Sequence, residues 1–106
     1  MGRFVIVAYR PKPGKEEDLL AAVKKHVRIL KEQGLATDRP AYVMRAEDGT
    51  LVEVFEWRSV DAIGQAHSNP AVQALWGEFN AACDYRPLTS LPEASQMFAD
   101  FEPVEI

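Results

Sequence analysis

Apolar residues recur along this chain with two different periods, and the places where the period changes mark the elements. Phe4, Ile6 and Ala8 alternate with Val5, Val7 and Tyr9, so a strand here has apolar side chains on both faces. Pro11, Pro13 and Gly14 end it. Glu16, Glu17 and Asp18 then put negative charge beside the unpaired amides of an opening helix. On a helical wheel Leu19, Val23, His26, Val27 and Leu30 share one side, with Leu20 and Ile29 at its margins. Lys24, Lys25, Arg28, Lys31 and Glu32 face water. The helix is predicted to run to about Gln33, with Gly34 as its left-handed stop.

Beyond Asp38-Arg39-Pro40 the period returns to two. Ala41–Arg45 reads as an edge strand, and Asp48-Gly49 makes the hairpin turn into a strand from Thr50 to Arg58. That strand shows Leu51, Glu53, Phe55 and Trp57 on one face and Val52, Val54, Glu56 and Arg58 on the other. Ser59 or Asp61 starts a second helix with Val60, Ile63, Gly64 and His67 on one side, so His67 is expected to look toward the sheet. Asn69-Pro70 caps and restarts the helix, whose buried side is Val72, Leu75, Trp76, Phe79 and Cys83. A long loop with Arg86-Pro87 and Leu91-Pro92 follows, and Met97–Glu102 is the expected last strand, ended by Pro103.

The order strand, helix, strand, strand, helix, strand predicts an α+β, ferredoxin-like βαββαβ protomer, with a four-stranded antiparallel sheet and both helices on one face. Two of its strands are apolar above and below. A chain this short supplies one cover, so the uncovered face is expected to pair with a second copy, giving a homodimer.

Composition narrows the function classes. With 106 residues, 47% of them hydrophobic, residues 1–106 are expected to form a single domain. The net charge of -4, with lysines interleaved among acids, argues against nucleic acid as partner. No apolar run approaches a membrane span, and the apolar run near Met1 is too short for a signal peptide. The lone Cys83 has no partner for a disulfide and points to a cytoplasmic setting. The two histidines lack metal-ligand spacing, so no metal site is expected. Glu53 and Glu56 lie on opposite strand faces and do not form a glycosidase pair. Phosphate loops, dinucleotide fingerprints and nucleophile elbows are missing from the sequence.

Pro13-Gly14-Lys15 opening the acidic helix, the hairpin into Val54-Phe55-Glu56-Trp57, and Ser59-Val60-Asp61-Ala62 with His67 before Asn69-Pro70 resemble the antibiotic biosynthesis monooxygenase-like family. The likeness runs from about Phe4 to Phe101. It implies a dimeric α/β barrel in which two sheets meet face to face, with a pocket between each sheet and its own helices. It also implies a possible activity, cofactor-independent oxygenation of a small aromatic or quinol-type substrate. The alternative is a non-catalytic dimeric barrel that binds a small molecule or is purely structural. The haem-degrading branch carries an Asn on the first strand, and this chain has none there.

The family often has a histidine where His67 stands, which makes His67 the candidate catalytic base; a neutral imidazole takes a proton from a phenol or hydroquinone near pH 7. The plainer alternative is a hydrogen-bonded histidine that steadies the helix. His26, Tyr9, Phe55, Trp57 and Trp76 are candidate substrate-binding residues, the aromatics as walls of a flat slot, although large aromatics are more often plain core. His26 lies amid an apolar stripe, where a structural histidine is the plainer reading. Convergence of His26 and His67 on one cavity would favour function.

Overall fold

A computed structural model describes all 106 residues. In order, the elements are β1 (Arg3–Pro11), α1 (Glu16–Glu32), β2 (Tyr42–Arg45), β3 (Leu51–Trp57), α2 (Val60–Ala66), α3 (Pro70–Ala82), β4 (Cys83–Arg86), two short 3-10 turns (Leu88–Ser90 and Pro92–Ser95) and β5 (Glu102–Val104). The sheet order is β4-β1-β3-β2-β5, with every pairing antiparallel. The α+β ferredoxin-like arrangement is therefore present, with five strands in the sheet where four were expected.

The predicted punctuation explains why the elements stop where they do. Gly34 takes φ 73° after α1, Leu35 N–H donates to Leu30 O and Gly34 N–H to Lys31 O. This is the paired closure that satisfies carbonyls at a helix C-terminus, with Leu30 and Leu35 packed in the same core cluster. Between β2 and β3, Gly49 carries φ 91° and Ala46 N–H bonds Thr50 O, a three-residue hairpin whose left-handed position needs glycine. Ser59 caps α2 through Ala62 N–H, and Asn69 caps α3 through Ala71 and Val72 N–H.

The register places Val5 opposite Phe55, Val7 opposite Glu53 and Tyr9 opposite Leu51. These positions share one sheet face, and α1 and α3 lie against it. Leu19, Val23, Leu75 and Phe79 from the helices are buried with Tyr9 and Leu51. At the other end Leu30, Ala62 and Val72 pack with Phe55 and Trp57.

Four expectations are corrected. The strand beside β1 is Cys83–Arg86, and Met97 and Phe98 are exposed loop residues. Cys83 lies four residues after Phe79, which mimics a helical face, yet its backbone is already extended at φ -150° and ψ 169°. β2 is not an edge, because β5 pairs outside it. The sheet face away from the helices is partly covered: Leu91 from the C-terminal segment is buried with Ala8 and Val52, and Phe101 packs on the same cluster. Phe4, Ile6 and Tyr42 remain exposed there. Finally, α2 turns Ala62 and Ala66 inward while His67 is exposed. The small alanines let this seven-residue helix lie close to the sheet, and the restart at Asn69-Pro70 carries His67 outward. No helix is long and apolar enough to cross a membrane.

Candidate functional site

A cavity of about 410 Å³ lies between the sheet and the helices. Its inner wall is made by side chains that the fold buries almost completely, Tyr9 from β1, His26 from α1, Phe55 from β3 and Phe79 from α3. Toward the outside it is bounded by Trp76 and by the exposed His67, Asn80 and Tyr85. Each strand contributes through its period of two, and α1 contributes His26 because that position falls in the middle of its apolar stripe.

The chemistry is concentrated at the inner end. Glu53 on β3 is completely buried. Its Oε1 accepts the Tyr9 hydroxyl at 2.7 Å and lies 2.7 Å from His26 Nδ1. Oε2 is buried without a hydrogen-bond partner. An ionised carboxylate only accepts, so with Glu53 as carboxylate the imidazole donates from Nδ1 and its Nε2 carries the lone pair. Tyr9 stays a donor: burial, then the adjacent charge of Glu53, holds its pKa well above the ordinary value. The carboxylate thereby sets both the tautomer and the direction of a histidine whose ring lines the cavity.

Aromatic contacts hold the group in place. Tyr9 stacks on Phe79 with centroids 4.8 Å apart, and the His26 ring meets Phe55 and Phe79 edge-on at 5.1 and 5.0 Å. Phe55 continues to Trp57 at 5.3 Å. His67 packs edge-on against Trp76 at 5.0 Å, its backbone carbonyl accepting from the Gln73 side chain. Burial also raises the pKa of Tyr85.

All six residues singled out from the sequence, His26, His67, Tyr9, Phe55, Trp57 and Trp76, line this one cavity. They do so at different depths, and His67 lies at the mouth instead of pointing inward. Glu53 was missed as a site residue. The available signal was a carboxylate on the otherwise apolar Leu51-Phe55-Trp57 face, matched by a histidine inside the apolar stripe of α1. No group of three His, Cys, Asp or Glu side chains is arranged to hold a metal ion.

No protein of curated function matches the chain. The family model described as antibiotic biosynthesis monooxygenase matches residues 3–76, which takes in β1 through the first half of α3, and with it Tyr9, His26, Glu53, Phe55, Trp57, His67 and Trp76. Residues 77–106, including Phe79, Asn80 and Tyr85, lie beyond the match. With more than half of its length covered and the ferredoxin-like topology in place, the chain belongs to the antibiotic biosynthesis monooxygenase family.

Proposed function

We propose that the protein is a cofactor-independent monooxygenase of a small aromatic or quinol-type substrate, with His26 as the base. The observation that carries this reading is the His26–Glu53 contact of 2.7 Å at the inner end of an apolar cavity. Apolar aromatic walls suit a flat ligand, and a histidine held by a buried carboxylate suits removal of a phenolic proton. The resulting anion is electron-rich enough to pass one electron to dioxygen. Recombination then forms a carbon–oxygen bond, and loss of water leaves a quinone-type carbonyl, with one oxygen atom in product and one in water. Glu53 stabilises the imidazolium formed in the first step without itself taking the proton. His67, exposed at the mouth, is assigned to substrate entry in place of proton removal.

The test is oxygen uptake with hydroquinones and anthrone-like substrates. His26→Ala is expected to lower kcat by on the order of 10²-fold or more, whereas His67→Ala is expected to act mainly on KM. No turnover across the panel, or an unchanged kcat in His26→Ala, defeats the reading; ligand binding without oxygen uptake makes the chain a non-catalytic binder.

The same reading includes a homodimer formed through the sheet face that carries Phe4, Ile6 and Tyr42, whose exposure supports it, and a cytoplasmic setting, supported by a single buried cysteine. Sedimentation of the wild type against Phe4→Lys/Ile6→Lys checks the dimer: the wild type is expected at twice the protomer mass and the variant at the protomer mass.

A further inference from the structure

Resting on the assignment of this cavity as the substrate site, we infer that the substrate carries no anionic group and has oxygen at both ends, one end presented to His26 and the other read by Asn80 and Tyr85.

The polar groups of the cavity divide between its two ends. At the inner end the Tyr9 hydroxyl and His26 Nδ1 are both committed to Glu53. That leaves His26 Nε2 as the group facing a ligand there. At the outer end Asn80 and Tyr85 line the cavity and are exposed; the Tyr85 ring rests at a tilt against Tyr9 with centroids 5.9 Å apart, and neither side chain makes a hydrogen bond within the chain. Asn80 is tied only through its backbone, whose carbonyl accepts Lys12 Nζ at 2.9 Å. Its amide offers one donor group and one acceptor, and the Tyr85 hydroxyl offers both roles. Between the two ends, Val5, Val7, Phe55 and Ile63 offer no polar group, and Trp76 only its indole N–H. A ligand filling this space therefore has an apolar middle and hydrogen-bonding groups at its ends.

Charge narrows the ligand further. No Lys, Arg, Asp or Glu lines the cavity. Two nearby cations are occupied elsewhere: Lys25 pairs with Glu78 at 2.6 Å, and Lys12 holds the Asn80 carbonyl. A carboxylate or phosphate seated among the apolar walls, beyond the exposed His67 at the mouth, would lose water without meeting a lysine or arginine, which is costly in an apolar site. A hydroxyl or carbonyl is matched by the amide and the phenol. Asn80 and Tyr85 also lie beyond the segment shared with the family model, so this end of the cavity is built by the chain's own C-terminal part.

Calorimetric titration under nitrogen separates binding from turnover. The probes are 1,4-dihydroxynaphthalene, 1-naphthol and 4-hydroxy-1-naphthoate. The diol is expected to bind about tenfold or more tighter than 1-naphthol, and the carboxylate about tenfold or more weaker than the diol. In Asn80→Ala/Tyr85→Phe the ratio of diol to 1-naphthol is expected to collapse to under about threefold. Asn80→Ala alone, a change on the exposed side of α3, keeps the test intact if the double variant does not fold. Equal binding of diol and naphthol by the wild type, tightest binding of the carboxylate, a ratio that survives the substitutions, or no binding of any probe overturns the inference. If the ratios appear as expected while His26→Ala turns over normally, the base assignment falls and the ligand class stands.

Discussion

Two glutamates separate the two faces of the sheet. Glu53, under the helices, is completely buried, and Glu93, in the segment that crosses the opposite face, is 5% exposed. Each keeps one carboxylate oxygen without a partner. They differ in what they hold. Glu53 Oε1 gathers two titratable side chains from separate elements, Tyr9 and His26. Glu93 Oε2 accepts a single backbone N–H, that of Glu47 at 2.8 Å. A backbone amide does not change protonation in the working range, so the Glu93 contact fastens the C-terminal segment to the β2–β3 hairpin and has no further chemical consequence. The Glu53 contact decides which nitrogen of a cavity-lining imidazole carries the proton. Burial of a carboxylate is thus no mark of a reactive site until its donors are known.

Substitutions at the two glutamates sharpen the contrast. The largest effect is expected for Glu53→Ala, which strips Tyr9 and His26 of their shared acceptor. Destabilisation of about 3–5 kcal/mol is expected in urea unfolding, together with loss of oxygen uptake. Glu53→Gln keeps the size and one acceptor oxygen but removes the charge that supports an imidazolium. It is expected to fold, with kcat lowered on the order of 10²-fold. A Glu53→Gln variant with wild-type kcat would break the comparison, since Glu53 would then be only a structural anchor like Glu93.

The next largest effect is expected on the alkaline limb of stability. Burial, followed by the charge of Asp84, pushes the Cys83 thiol from 9.0 up to about 11, and burial, followed by Glu53, raises Tyr9 well above 10.0. In the fold both groups keep their protons at pH values where the unfolded chain has released them. The unfolded state then binds fewer protons, so stability falls as pH rises. It is expected to be full below about pH 9 and to decline through about pH 11, read by thermal melts across that window. Cys83→Ala is expected to remove the lower part of the decline, and Tyr9→Phe the upper part.

Glu93→Ala is expected to cost about 1–3 kcal/mol by leaving the Glu47 amide without its acceptor, with kcat unchanged. The smallest effect is expected for Glu93→Gln. Its amide oxygen replaces the acceptor, so stability should stay within about 1 kcal/mol of wild type by urea unfolding. A loss of activity in either Glu93 variant would mean that the two sheet faces are coupled.

Much of the fold was legible because it is written in short-range pattern. The wheel of α1 placed Leu19, Val23, His26, Val27 and Leu30 together, and all five are buried. Gly34 and Gly49 stand at positive φ where turns were expected. Misreadings cluster where a short element has too few residues to display a period. β4 has four residues and β5 has three, and α2, with seven residues, left the direction of His67 to its two inward alanines.

The candidate site was half legible in the same sense. His26, Tyr9 and the aromatics stood out as polar or bulky groups inside apolar stripes, and they do converge. Glu53 did not stand out as their partner, because nothing near it in sequence reveals which carboxylate a histidine will meet.

What the amino-acid order determined by itself is the set of elements, their caps and turns, and which side chains share a strand face or a helix stripe, since these follow from preferences of neighbouring residues. The tertiary structure alone decided that Tyr9 and His26, 44 and 27 positions away from Glu53, converge on one of its oxygens. Strand register and the rotation of α1 against the sheet settle that meeting, and both are set by packing among segments remote in the chain.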